Sequence, residues 1–324
     1  MNHHHPNEER LGRRAFLQDS AFFLACAATG LAAGQTPGPG TGPGAAEVDG
    51  HNAGPGVPAL RIGLVTDLHA ADRPPGGERL YREAFPRLRE AAERFREAKV
   101  DLAVELGDLI DGSGEEAEEE LFLRRIEAEF AHFPGPRHRV LGNHCVASLQ
   151  KRRFLEICGQ REARYSFDWG GFHCVILDGC FRADGVPYGG KNFEWTDAEL
   201  PPQEREWLRA DLAAATGKVL VFIHQRLDVA TPYAIRSAAL VRGILEASGK
   251  VLAVFQGHNH LNDHRALGGI HYVTLTALVD GPVQEGGAYA ILDVFQDGAL
   301  RMTGFHRQKD WDLPRLPPPR RRRV

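Results

Sequence analysis

The sequence predicts an α/β fold in which two mixed sheets are flanked by helices. Three observations lead there. Apolar runs of strand length alternate with amphipathic helical segments early in the chain, the pattern of βα units. Later strands follow one another across short turns, as hairpins do. Several early runs end in Asp, Asn or His, which puts polar groups at the mouth of a sheet, where open α/β folds bind ligands.

The chain has 324 residues, 43% of them hydrophobic and 25% charged, with a net charge of −4. These proportions suit a globular protein. The lack of a basic excess argues against nucleic acid as a partner. Residues 1–34 resemble a twin-arginine-type signal peptide: Arg13-Arg14-Ala15-Phe16-Leu17 precedes an apolar run at 21–33, too short for a stable membrane span in the mature form. Phe23 before Cys26 fits a lipoprotein site poorly, so cleavage is placed near Ala33. The expected partner is the twin-arginine export machinery and the expected location periplasmic or extracellular. Residues 35–58 form a Gly/Pro linker, expected to be disordered. The folded domain spans 59–312, and 313–324 are a Pro-rich basic tail. Four cysteines remain after cleavage (Cys145, Cys158, Cys174 and Cys180), and an oxidising compartment permits disulfides among them. Their spacing leaves all three full pairings open.

Residues 60–66 read as a buried strand ending at Asp67-Leu68-His69. On an extended segment, residues i and i+2 point the same way, so Asp67 and His69 can grip one ion. An Asp turn cap beside an unrelated His is the alternative. Residues 78–98 place Leu80, Phe85, Leu88, Ala92 and Phe95 near a 3.6-residue period and form a helix, with Pro86 bending it or setting its start. The run 100–106 is a second strand, closed by Gly107-Asp108-Leu109-Ile110-Asp111. Residues 115–133 are helical, and Glu115, Glu116, Glu118, Glu119 and Glu120 make a solvated first turn favoured by the helix dipole. A short strand at 137–141 leads into Gly142-Asn143-His144, where Asn143 is either an oxygen ligand or a left-handed turn residue.

Strands at 164–169 and 172–177 pair across Gly170-Gly171. Residues 181–202 form a long insert with Tyr188, Phe193 and Trp195, which either covers the site or is a surface excursion. A helix at 201–215 and an apolar strand at 218–223 lead to His224, with Arg226 either meeting a phosphate or lying on the surface. A helix at 234–248 and a strand at 251–255 lead to Gly257-His258-Asn259-His260. Strands at 270–275, 288–295 and 300–304 read as hairpin-linked.

Each strand exit alone has an ordinary structural explanation. Jointly those explanations fail. Three carboxylate or amide groups (Asp67, Asp108 and Asn143) and four imidazoles (His69, His224, His258 and His260) converge if the strand ends share one face. Mixed oxygen and nitrogen ligands suit manganese, iron or zinc. More than four ligands exceeds one zinc. Two divalent or trivalent ions bridged by Asp108 account for the number.

The ordered series Asp67-x-His69, Gly107-Asp108-x-x-Asp111, Gly142-Asn143-His144, His224 and Gly257-His258-x-His260 resembles the calcineurin-like metallophosphoesterase superfamily. Its spacing is most similar to the cyclic-nucleotide phosphodiesterase and ADP-ribose/CDP-alcohol diphosphatase branch. The resemblance implies a four-layer αββα sandwich with a dinuclear metal site at strand ends. It implies Asp67, His69 and His260 on one ion, Asn143, His224 and His258 on the other, and Asp108 bridging. It assigns His144 to the phosphate or leaving group. Asp111 either orients His144 or caps a turn. The implied activity is hydrolysis of small-molecule phosphate esters, phosphodiester or phosphoanhydride, by hydroxide held between the ions. A broad alkaline-phosphatase-like phosphomonoesterase is the nearest alternative, followed by a non-catalytic metal-binding scaffold. Two departures stand out. Cys145 occupies the place where the family usually carries Asp or Glu, and Asp111 stands where purple acid phosphatases carry a metal-binding Tyr.

Overall fold

A computed structural model describes residues 56–317. The signal, most of the linker and most of the tail expected from sequence lie outside that range. In chain order the strands and α-helices are β1 (Leu60–Val65), α1 (Ala84–Glu97), β2 (Leu102–Glu105), α2 (Glu116–Phe130), β3 (Arg137–Arg139), α3 (Lys151–Cys158), β4 (Tyr165–Trp169), β5 (Phe172–Ile176), α4 (Pro202–Ala214), β6 (Lys218–Phe222), α5 (Ala238–Ser248), β7 (Val251–Gln256), β8 (Asp263–Leu267), β9 (Ile270–Thr274), β10 (Ala288–Val294), β11 (Leu300–His306) and β12 (Trp311–Leu313).

Two six-stranded mixed sheets result, ordered β12-β11-β10-β1-β2-β3 and β4-β5-β6-β7-β9-β8. Strand alternation builds the layers. Leu60, Ile62 and Leu64 of β1 and Leu102 and Val104 of β2 face Leu220 and Phe222 of β6 and Ala253 and Phe255 of β7, forming the core between the sheets. Residues of opposite parity turn outward. Val65 and Ala103 meet Phe85, Leu88 and Phe95 of α1 and Leu123 and Ile126 of α2. Val219 and Val221 meet Leu208 and Leu212 of α4 and Val241 and Leu245 of α5. Both sheets are therefore covered on both faces, as the nearly unbroken apolar runs of their central strands require. The four-layer αββα sandwich is the observed architecture.

Several details differ from the sequence expectation. Helix α3 and strands β8 and β12 carried no sequence signal strong enough to mark them. The face of α3 that packs is Phe154 and Leu155, β8 is an exposed edge reading Asp-His-Arg-Ala-Leu, and β12 is three residues long. Leu313, assigned to the tail by sequence, ends β12 and is buried. The late strands are not one hairpin series: β9 pairs parallel with β7, whereas β10 lies in the other sheet beside β1. Glu119 is not a solvated first-turn glutamate. It is fully buried and accepts from the backbone N–H groups of Ser113, Gly114, Ser148 and Leu149. The four cysteines are free thiols. Among the described residues no helix is long and apolar enough to cross a membrane.

The contact between β1 and α1 depends on a missing side chain. A Cβ on Gly63 would meet the Phe95 ring at 2.6–2.7 Å. Gly63→Ala is expected to lower unfolding stability by about 1–3 kcal/mol through overpacking, read by urea melts. A neutral effect would show that Phe95 has room to move.

Candidate metal centre

The parallel strands of both sheets end on one edge, and their exits build the site. Asp67 follows β1, Asp108 follows β2 and Asn143 follows β3; His224 and His258 follow β6 and β7. The loops stay zipped together past the strands. Asp67 N–H donates to Gly107 O at 2.9 Å, and His69 N–H to Asp108 O at 2.8 Å. Two glycines make the convergence possible. Gly107 has φ +107°, and a Cβ there would lie 2.4 Å from His224 Nδ1. A Cβ on Gly142 would lie 2.1 Å from Asp108 N.

Asp67 and His69 do not come together by strand alternation. Neither is extended: φ is +51° at Asp67 and +43° at His69. Asp108, His258 and His260 share this left-handed geometry, so five of the eight non-glycine residues with positive φ among those described are candidate ligands. Such backbone is uncommon for side-chain-bearing residues and concentrates at functional sites. Asn143, by contrast, has φ −66° and ψ −32°, which removes the left-handed-turn explanation for it.

Each carboxylate has one oxygen anchored and one turned to the imidazoles. Asp67 Oδ2 accepts from Thr66 Oγ1 and His258 N, while Oδ1 has no hydrogen-bond partner and lies 3.4 Å from His260 Nε2. Asp108 Oδ1 accepts from His144 N, while Oδ2 lies 3.2 Å from His224 Nε2 and 3.7 Å from His69 Nε2. The buried Asn143 Oδ1 is likewise without a partner.

Three imidazoles are held by the nitrogen facing away from the cluster. His69 Nδ1 contacts Asp111 Oδ1 at 3.2 Å, His224 Nδ1 contacts Leu106 O at 2.9 Å, and His260 Nδ1 contacts Asp280 Oδ2 at 2.8 Å. That is how metal-ligating histidines are usually oriented. Their inner nitrogens crowd one another. His69 Nε2 lies 3.2 Å from His260 Nε2, and His224 Nε2 lies 3.2 Å from His258 Nδ1. Ligand atoms gather within 4.8 Å of one another in three overlapping groups: Asp67–His69–His260, His69–Asp108–His144 and Asp108–His224–His258. Unpartnered buried oxygens beside crowded nitrogens are what a pair of cations would satisfy, so the donor set fits such a centre.

Asp111 joins two of these groups. Its Oδ1 lies 2.5 Å from His144 Nδ1 as well as beside His69, and Arg73 pairs with Oδ2. Arg73 also stacks over Tyr81 and donates to Gly112 O. Arg226 does not lie on the surface; it is buried and clamped by Asp228 and Asp263. Cys145 is buried, with its sulfur accepting from Leu109 N–H at 3.3 Å, and burial pushes its thiol well above the ordinary range. Sequence reasoning missed Thr66, Arg73 and Asp280. Asp280 had a usable signal, because Asp280-Gly281 follows an apolar run. Arg73, in an irregular loop, had none.

The electrostatics divide the histidines. Burial opposes charge on His224 and His260, but the facing carboxylates outweigh it: Asp108 and Asp67 lift His224 to about 9, and Asp67 and Asp280 lift His260 to about 10. Burial lowers His69 to about 3, and burial with the neighbouring His224 charge lowers His258 to about 3. Burial also lowers His144. Asp67 and Asp108 are held below the usual carboxylate range, the imidazoles overriding burial.

Comparison with known proteins agrees with this geometry. The family profile described as calcineurin-like phosphoesterase matches residues 60–262. The chain is 23% identical over 307 residues to a manganese-dependent ADP-ribose/CDP-alcohol diphosphatase of Oryza sativa subsp. japonica, covering 79% of this chain and 94% of that one. A protein of the same description from Danio rerio is 24% identical, over 78% and 97% of the two chains. Among solved structures, a dimetal phosphatase from Danio rerio superposes with TM-score 0.70 at 21% identity, over 80% and 99% of the chains. A purple acid phosphatase from yellow lupin reaches TM-score 0.51 at 13% identity, over 79% and 54%.

Protonated His224 and His260 must each lose a proton before binding a cation. Manganese affinity of the metal-free chain is therefore expected to rise with pH between 6 and 8, up to about tenfold per pH unit for each proton displaced. Calorimetric titration in buffers of different ionisation enthalpy measures both affinity and proton release. Affinity that is flat over this range contradicts the charge assignment.

Proposed function

The chain belongs to the calcineurin-like phosphoesterase family, and on that premise we propose that it hydrolyses phosphoanhydride or phosphodiester bonds of small nucleotide-type substrates with manganese. It is a metal-dependent phosphoesterase; the substrate class is the added step. ADP-ribose and CDP-alcohols are the substrates named for its relatives, and they lead the panel to be tested. The observation that carries the reading is the buried, unpartnered pair Asp67 Oδ1 and Asn143 Oδ1 beside the crowded imidazoles.

In this reading Asp67, His69 and His260 would hold one ion and Asn143, His224 and His258 the other, with Asp108 shared between them. Bound there, two cations acidify water and neutralise phosphate oxygens. The chain's own part is positional. Asp111 Oδ1, beside His144 Nδ1, orients the ring so that a protonated Nε2 can donate to the departing oxygen. His144 is about one quarter exposed on its side chain, so substrate reaches it. The same carboxylate steadies His69, tying the leaving-group side to one ion site.

Cleavage of ADP-ribose or a CDP-alcohol by manganese-loaded protein, abolished by Asp108→Ala, is the expected result; no cleavage of either overturns the substrate class. Asp111→Asn keeps an acceptor at Oδ1 and loses the charge. It is expected to cut kcat about ten- to hundredfold while sparing metal content, whereas Asp111→Ala lowers both. Equal loss in the Asn variant contradicts the orienting role.

Export completes the reading and rests on sequence alone: Arg13-Arg14 and the apolar run behind it. Replacing both arginines with lysine is expected to leave the protein in the cytoplasm on cell fractionation. Unchanged export removes the twin-arginine assignment.

A further inference from the structure

Two partly exposed aromatic rings stand beside the candidate metal centre. Trp195 comes from the insert between β5 and α4, and Tyr233 from the loop between β6 and α5. Their ring centroids are 5.3 Å apart, and they lie 6.0 Å and 5.7 Å from that of His258. Each is 40% exposed. Rings of this size normally bury in the core or at an interface; these keep open area next to a cluster of carboxylates and imidazoles. The insert also sends Phe193 to within 5.7 Å of His144. The long loop thus does reach the site, on both sides.

Both rings sit on stiff mounts. Glu194 accepts from Thr196 N–H and hydroxyl, Tyr188 hydroxyl donates to Glu194 O, and Arg236 pairs with Asp197 at 2.7 Å. Arg236 N–H donates to Ala198 O, tying the two loops together. Tyr233 O accepts from Arg226 N–H, and the Arg226 guanidinium is the one clamped by Asp228 and Asp263. A rigid ring loses little freedom when it binds, so such mounting favours recognition over idle exposure.

We infer that Trp195 and Tyr233 form a stacking platform for the planar base of a nucleotide ester whose phosphate lies at the metal centre. Stacking is indifferent to base identity because every base has a π-face, which suits an enzyme that accepts both purine and pyrimidine esters. The inference rests on the nucleotide-type reading above, and it makes Trp195 and Tyr233 specificity-determining residues, separate from the groups that act on phosphate.

The test separates this platform from the reaction. Manganese-loaded protein is titrated with AMP, CMP and ribose 5-phosphate, which share a sugar phosphate and differ in the base. Tryptophan fluorescence and inhibition of aryl phosphodiester cleavage are read together. Both nucleotides are expected to quench fluorescence and to bind about tenfold or more tighter than ribose 5-phosphate. Trp195→Ala is expected to abolish the quench and bring all three ligands to similar affinity. Trp195→Phe restores most of the preference without the quench, and Tyr233→Ala weakens it. Equal binding of nucleotides and ribose 5-phosphate by the wild-type protein overturns the platform, as does a Trp195→Ala variant that keeps the preference. Base-dependent binding in a protein that cleaves neither ADP-ribose nor a CDP-alcohol sustains the platform and defeats the reaction assigned above.

Discussion

Two buried carboxylates facing a ring of imidazoles set the terms for the surrounding structure. Removing an ion from water costs several kcal/mol even after relaxation, and Asp67 and Asp108 are both essentially inaccessible. The chain offsets this by giving each carboxylate one anchored oxygen and opposing the other with His224, His260 or His69. Nothing else in the site can be placed until that arrangement is met. The zipped loops, the absent side chains at Gly107 and Gly142 and the left-handed ligand backbones all serve it.

The strands and the helices with a clear apolar period were legible in the sequence because covered sheets demand long apolar runs. The candidate ligands were legible for a different reason: each sits in a short polar word directly after such a run. What stayed hidden obeys neither rule. Strand β8 is an edge whose only strand partner is β9, so no covering layer demands an apolar run of it. Glu119 looked like any acid in a helical first turn, and only the fold reveals four backbone N–H groups waiting for it. The burial of Arg226 stayed hidden because one of its two partners, Asp263, lies 37 residues further along the chain.

Asp67 and His69 do meet, but not by alternation along an extended strand, because the chain has left the extended region at both residues. Their proximity comes from the tight turn between β1 and the segment beside Asp108, held by the hydrogen bonds to Gly107 O and Asp108 O. Spacing in a motif therefore reports that residues meet more reliably than it reports how. Asp111 shows the complement. From sequence it was an acid three residues past a ligand, and in the fold it is the one group shared by His69, His144 and Arg73.

Cys145 bears on the charge of the whole crevice. Beside the Gly142-Asn143-His144 word this chain holds a thiol, kept neutral by its burial. It adds no negative charge to the Asp67 and Asp108 carboxylates already buried there. Each negative charge left out of such a site spares an incoming anion some repulsion, an effect that weakens as ionic strength rises.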